Sequence, residues 1–100
     1  MDQEKLALAR DGHCVRCLGE AAVCHRRIPG TDCGLASIIC LCKPCHQWVH
    51  ENPADAYGTG FLLHYWDNPE SIPLMIRPGS CWVTLTNSGD MKITQQLTLF

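Results

Sequence analysis

Apolar residues in this 100-residue chain fall into short blocks separated by polar, Gly and Pro positions. Asp2 to Arg10 reads as a short helix, with Asp2 as its cap, Leu6, Ala7 and Ala9 on its apolar side, and Asp11-Gly12 as its end. This helix is expected to pack over the turn that follows it. Ala21 to Ile28 has strand character, Pro29 to Gly34 carries loop breakers, and Ser37 to Leu41 reads as a short return strand. A helix then follows the Cys42–Cys45 turn, and a second short helix starts with Asn52 as cap and Pro53 in its first turn. Phe61 to Trp66 is a compact apolar run expected to bury itself. Leu74 to Ile76, Cys81 to Thr86 and Met91 to Thr94, the last two joined by Asn87-Ser88-Gly89-Asp90, predict a small antiparallel sheet. Gln95 to Phe100 is expected to fray or to pair with a neighbour.

One core in a chain of this length is marginal without a staple, and eight cysteines offer one. The N-terminus has early acids and no long apolar segment, which favours a reducing cytoplasm and metal binding over disulfides. No run approaches the roughly 18 apolar residues that cross a bilayer. The formal net charge of -2 excludes tight nucleic-acid binding by bulk charge. The basic residues are nonetheless uneven: Gly12 to His50 has Arg16, Arg26, Arg27 and Lys43 against Glu20 and Asp32, so a phosphate-facing surface is expected in this half.

The densest chemistry lies between Cys42 and His50. Cys14-x2-Cys17 and Cys42-x2-Cys45 are two knuckles with the spacing of a closed, structural four-cysteine zinc site, with Leu18-Gly19 as the turn of the first. His46 and His50 are four apart, hence on one face of a helix, where two imidazoles can hold a second ion. A competing scheme pairs Cys14, Cys17, Cys24 and His25 in one zinc site and Cys40, Cys42, Cys45 and His46 in another. Cys33 and Cys81 read as a loop thiol and a small buried residue, and His64 as an ordinary core or surface histidine. Trp48, Trp66 and Trp82 read as core residues rather than base-stacking ones.

Strand, loop, strand and helix, with a histidine on the first strand and two on the helix, resembles the ββα-metal finger of HNH endonucleases. The residues that carry it are Cys14-x2-Cys17, Cys24-His25-Arg26-Arg27, and Ile38-Ile39-Cys40-Leu41-Cys42-x2-Cys45-His46-x3-His50. Pro53 to Thr86 is also similar to small HNH proteins of phages and prophages. The resemblance implies a small α+β fold: one nuclease domain over 1–100, with a zinc-stapled ββα core at 12–51 and a C-terminal antiparallel β-hairpin at 70–95. It implies a metal-dependent DNA endonuclease with His25 as general base. Cys24, His46 and His50 would hold one catalytic divalent ion, Mg2+, Mn2+, Ni2+ or Zn2+, beside the structural Zn2+. Arg26, Arg27 and Lys43 would face DNA, although Arg26 and Arg27 point to opposite sides of a strand. Two positions depart from the family pattern: Cys24 stands where Asp or His is usual, and Ser37 where Asn is usual. The alternative is therefore a weak or inactive zinc-stabilised DNA- or protein-binding module, an accessory of phage DNA packaging with terminase as its partner.

Overall fold

The computed structural model describes residues 3–29, 34–76 and 81–96. The expected cap Asp2, the loop around Cys33 and the tail beyond Gln96 lie outside them. In chain order the elements are α1 (Gln3–Asp11), β1 (Val23–Arg26), a 3-10 turn (Leu35–Ser37), β2 (Ile38–Leu41), α2 (Lys43–Glu51), α3 (Pro53–Gly58), β3 (Leu74–Ile76), β4 (Cys81–Leu85) and β5 (Met91–Gln96). They form a small α+β structure with two antiparallel sheets, β1-β2 and β3-β4-β5. The strand, loop, strand, helix order is as expected, and the C-terminal part has three strands rather than a hairpin alone.

β2 is buried along its whole length because both of its faces are covered. Alternation sends Ile38 and Cys40 to one side, against Ala7 of α1 and Leu35. Ile39 and Leu41 go to the other, into the main core with Val15, Val49, Phe61, Leu74 and Val83. Helix α1 thus rests on β2 and the 3-10 turn rather than over the knuckle. Its apolar side is thinner than expected, since Ala7 is buried but Leu6, Leu8 and Ala9 are exposed. Polar contacts fasten it instead: Arg10 donates to the carbonyls of Leu35 and Ile38 and pairs with Asp11 at 2.7 Å. Asp11 in turn accepts the Cys40 N–H at 3.0 Å.

In the second sheet Cys81, Val83 and Leu85 are buried while Trp82 and Thr84 are only partly covered, the period of two that a half-buried strand requires. Trp82, expected in the core, is therefore on the outer face. Gly60 is where the two halves touch. Its φ is +84°, and a Cβ there would stand 2.2 Å from the Pro73 carbonyl oxygen, so only glycine fits. Asn52 makes no cap bond to α3; its side-chain amide donates to the Trp48 carbonyl at 3.0 Å and closes α2 instead.

The Phe61 to Trp66 run divides. Phe61, Leu62 and Leu63 are buried, but Tyr65 is 80% and Trp66 66% exposed. His64 stacks between Tyr57 and Trp66, with centroids 4.5 and 4.4 Å away, and its N–H is held by Asp67. The expectation that Trp66 joins the core fails because three flat rings cover one another at the surface. Among the described residues no helix is long and apolar enough to cross a membrane.

Candidate metal centres

Two ligand clusters stand on the framework of β1, β2 and α2. The first is Cys14, Cys17, Cys42 and Cys45, whose sulfurs all lie within 4.8 Å of one another. Four sulfurs at about 2.3 Å from a tetrahedral zinc are about 3.8 Å apart. The Cys17–Cys42 separation of 3.5 Å fits that arrangement. The pairing excludes the two-zinc scheme, since Cys40 and Cys24 turn elsewhere. The first knuckle turns at Leu18-Gly19 as expected, with Leu18 in the left-handed region at a φ of +68°. Gly19 contributes closeness: its N–H donates to Cys17 Sγ at 3.4 Å, and a Cβ would meet that sulfur at 3.2 Å.

Electrostatics explain why this cluster wants a cation. Burial pushes the Cys14 thiol up, but backbone N–H groups of Cys42, Cys17 and Arg16 outweigh it and bring Cys14 down to about 7. Burial pushes Cys45 up to about 12, with Arg16 pulling the other way. Cys14 thus forms a thiolate readily while Cys45 resists, and a divalent ion would favour the charged form of both. Arg16 is the residue that sequence reasoning assigned only to a basic region. Its guanidinium lies 3.5 Å from Cys45 Sγ and 3.7 Å from the Trp48 ring centre, where it would offset the net negative charge of four thiolates around a divalent ion. Trp48 is accordingly half-buried, its ring nearly perpendicular to that of Phe61.

The second cluster is His25, His46 and His50, one ring nitrogen of each lying within 4.8 Å of the others. Helix α2 begins directly after Cys42, so the thiol cluster sets the position of His46 and His50. Their Nε2 atoms are 3.1 Å apart. Two nitrogens bound to one ion at about 2.0–2.1 Å are about 3.0–3.4 Å apart, so the pair fits a shared ion. His50 is exposed and leaves the site open to solvent, whereas His25 is buried. Burial first, then the neighbouring His50, pushes His46 down.

The third member is not the one expected. β1 residues alternate, so His25, opposite Ile39, faces α2, while Cys24, opposite Cys40, faces α1. The structure groups His25, rather than Cys24, with His46 and His50. His25 Nε2 lies 2.8 Å from the Phe61 carbonyl oxygen. A carbonyl only accepts, so Nε2 carries the proton and Nδ1 keeps its lone pair. No residue pattern announces this contact, because it is made by backbone. Burial drives His25 down to about 4 against the pull of the Phe61 carbonyl, with His46 and His50 adding to the fall.

The sign of that shift gives a prediction. The unfolded chain takes up a proton near pH 6.5 and the folded chain only near 4, so His25 costs stability as pH falls through that window. Between those values the urea stability of the wild type should fall faster than that of His25→Gln, by up to about 1.4 kcal/mol per pH unit. Parallel profiles at constant zinc would count against a buried neutral His25.

The remaining expected site residues separate clearly. Arg27 is fully buried: Nε donates to the Gly60 carbonyl (2.7 Å), Nη1 to Ala36 and Pro69 (3.0 Å each) and Nη2 to Ile72 (2.8 Å). It faces inward and is withdrawn as a phosphate contact. Burial, with Arg10 next, lowers it only to about 10, so it stays charged at neutral pH. Arg26 is half-buried and Lys43 exposed at the start of α2. Ser37 is buried; its Oγ donates to the Gly34 carbonyl at 2.9 Å and its own carbonyl accepts the Arg27 N–H at 2.7 Å. It steadies the turn after the loop and is not among the metal-ligating clusters. Comparison with family models, curated proteins and solved structures finds no match.

Proposed function

We propose that the protein is a metal-dependent endonuclease of HNH type that hydrolyses phosphodiester bonds in DNA. The observation that carries the reading is His25: a buried imidazole, fixed in one tautomer by Phe61, beside two helix histidines with the separation of a shared ligand pair. In this reading Nδ1 of His25 takes the proton from the water that attacks phosphorus, and the bond to the 3' oxygen breaks, leaving a 5' phosphate. A neutral imidazole at working pH is what that step needs. His46 and His50 would hold a divalent ion, which when bound supplies charge neutralisation at the phosphate and the departing oxygen. Lys43 and Arg26 remain the basic residues for the DNA backbone.

The expected result is relaxation of supercoiled plasmid in magnesium, manganese or nickel, lowered by about 10²–10⁴-fold in His25→Ala. Equal rates in the two proteins would overturn the role of His25. A second reading, a zinc-stabilised binding module that acts with a larger DNA-packaging machine, draws on Ser37, whose hydroxyl is engaged within its own turn. It predicts DNA or partner binding without cleavage in any metal.

A further inference from the structure

Cys24 and Cys40 stand directly opposite one another in the β1-β2 register. Antiparallel partners alternate between pairs that share backbone hydrogen bonds and pairs that do not. The groups around Cys40 decide which kind this is. Its N–H donates to Asp11 at 3.0 Å and its carbonyl accepts the Val15 N–H at 3.1 Å, so both point away from β1. Three residues further along β1's path, Arg27 N–H bonds the Ser37 carbonyl, as the alternation requires. Cys24 and Cys40 are therefore a non-hydrogen-bonded pair, the kind whose Cα atoms approach to about 4.5 Å with side chains closest. That separation lies within the range of about 4.4–6.8 Å that a disulfide spans.

The two thiols belong to neither metal cluster. They already contact one another through their side chains. Cys24 is exposed and Cys40 is 1% exposed, so an oxidant reaches one before the other. A cavity of about 310 Å³ borders both, walled by Leu8 and Ala21 and lined also by the oppositely charged Glu4 and Lys5. It gives a small oxidant room beside the sulfurs.

We propose that Cys24 and Cys40 are a modification site, converted by a low-molecular-weight disulfide into a cross-strand disulfide. The Cys24 thiolate attacks one sulfur of the small disulfide; a mixed disulfide forms on Cys24, and the other half leaves and takes up a proton. Cys40 then loses its proton and attacks Cys24 Sγ, displacing the second half as a thiol. The two protein thiols give up two electrons and two protons, and the small disulfide becomes two thiols. Excess thiol reverses both steps.

The test reads covalent state, so it is independent of nuclease activity. Zinc-loaded protein is incubated for hours, the time uncatalysed exchange takes, with oxidised glutathione, then acid-quenched, alkylated and mapped by mass spectrometry. The expected product is a Cys24–Cys40 linked peptide, an intact mass lower by about 2 Da, unchanged zinc content, and reversal by reduced glutathione. Cys24→Ser should show no link, and Cys40→Ser should retain one glutathione on Cys24. Full alkylation of both residues after treatment would overturn the proposal. So would a lasting glutathione adduct on wild-type Cys24, or links confined to Cys33 or the four clustered cysteines.

Discussion

A chelator strong enough to take zinc from four thiolates is expected to unfold the chain rather than merely empty a site. The four cysteines come from two segments, Cys14–Cys17 and Cys42–Cys45, and between them they hold the start of α2 to the turn that follows α1. Structural zinc contributes about 10–16 kcal/mol in small zinc-finger domains. A domain of this size has about 5–15 kcal/mol of total stability, so without the ion the balance favours the unfolded state. Cys42→Ala should behave in the same way, because three thiolates and a lost sulfur no longer close the shell. Far-UV circular dichroism recorded alongside zinc release checks this: the two signals should change together. Complete release with an unchanged thermal melt would show that the cluster is not the staple.

Replacement of Arg27 by Leu should also destabilise the fold strongly. Four carbonyls, of Gly60, Ala36, Pro69 and Ile72, receive that one guanidinium. The Gly60 and Ala36 carbonyls are buried, whereas Pro69 and Ile72 are partly exposed and water can meet them. Each buried acceptor left unmet costs about 1–3 kcal/mol, so the two together reach about 2–6 kcal/mol, a large share of the stability of the domain. Arg27→Lys should recover only part of it, because an ammonium has three donors and no planar fork. Solubility on expression and the urea midpoint measure the effect. A variant that stays fully folded and loses only DNA binding would return Arg27 to the surface role first expected of it.

The sequence made the four-cysteine cluster legible because ligand spacing constrains it: two Cys-x2-Cys elements have few ways to meet around one ion. His46 and His50 were legible for a similar reason, since a period of 3.6 places them together on any helix there. What the strand did to its neighbours was harder to read. Alternation was correctly expected to separate Arg26 from Arg27, yet the same rule separates Cys24 from His25, and family analogy had placed Cys24 on the ion with His25 as the base beside it. Which face of β1 was covered depended on Phe61 and Gly60, more than thirty residues away. Trp66 was misread because an apolar run has no period to divide it, and Leu63 and His64 mark a boundary that only the packed structure draws. The Phe61 carbonyl had no signal at all, since every residue carries one.

That carbonyl lies in a stretch knitted to both sheets. Thr59 accepts the Met75 N–H, Gly60 accepts from Arg27, Phe61 from His25, and Leu63 N–H returns to the Arg27 carbonyl. When this stretch opens, His25 loses the acceptor that fixes its proton, and the imidazole reverts to a mixture of tautomers. An opening that costs about 3 kcal/mol would hold about one molecule in 150 in that mixed state at any moment. Amide exchange at Leu63, whose N–H is held by the Arg27 carbonyl in the same stretch, should report how often this stretch opens.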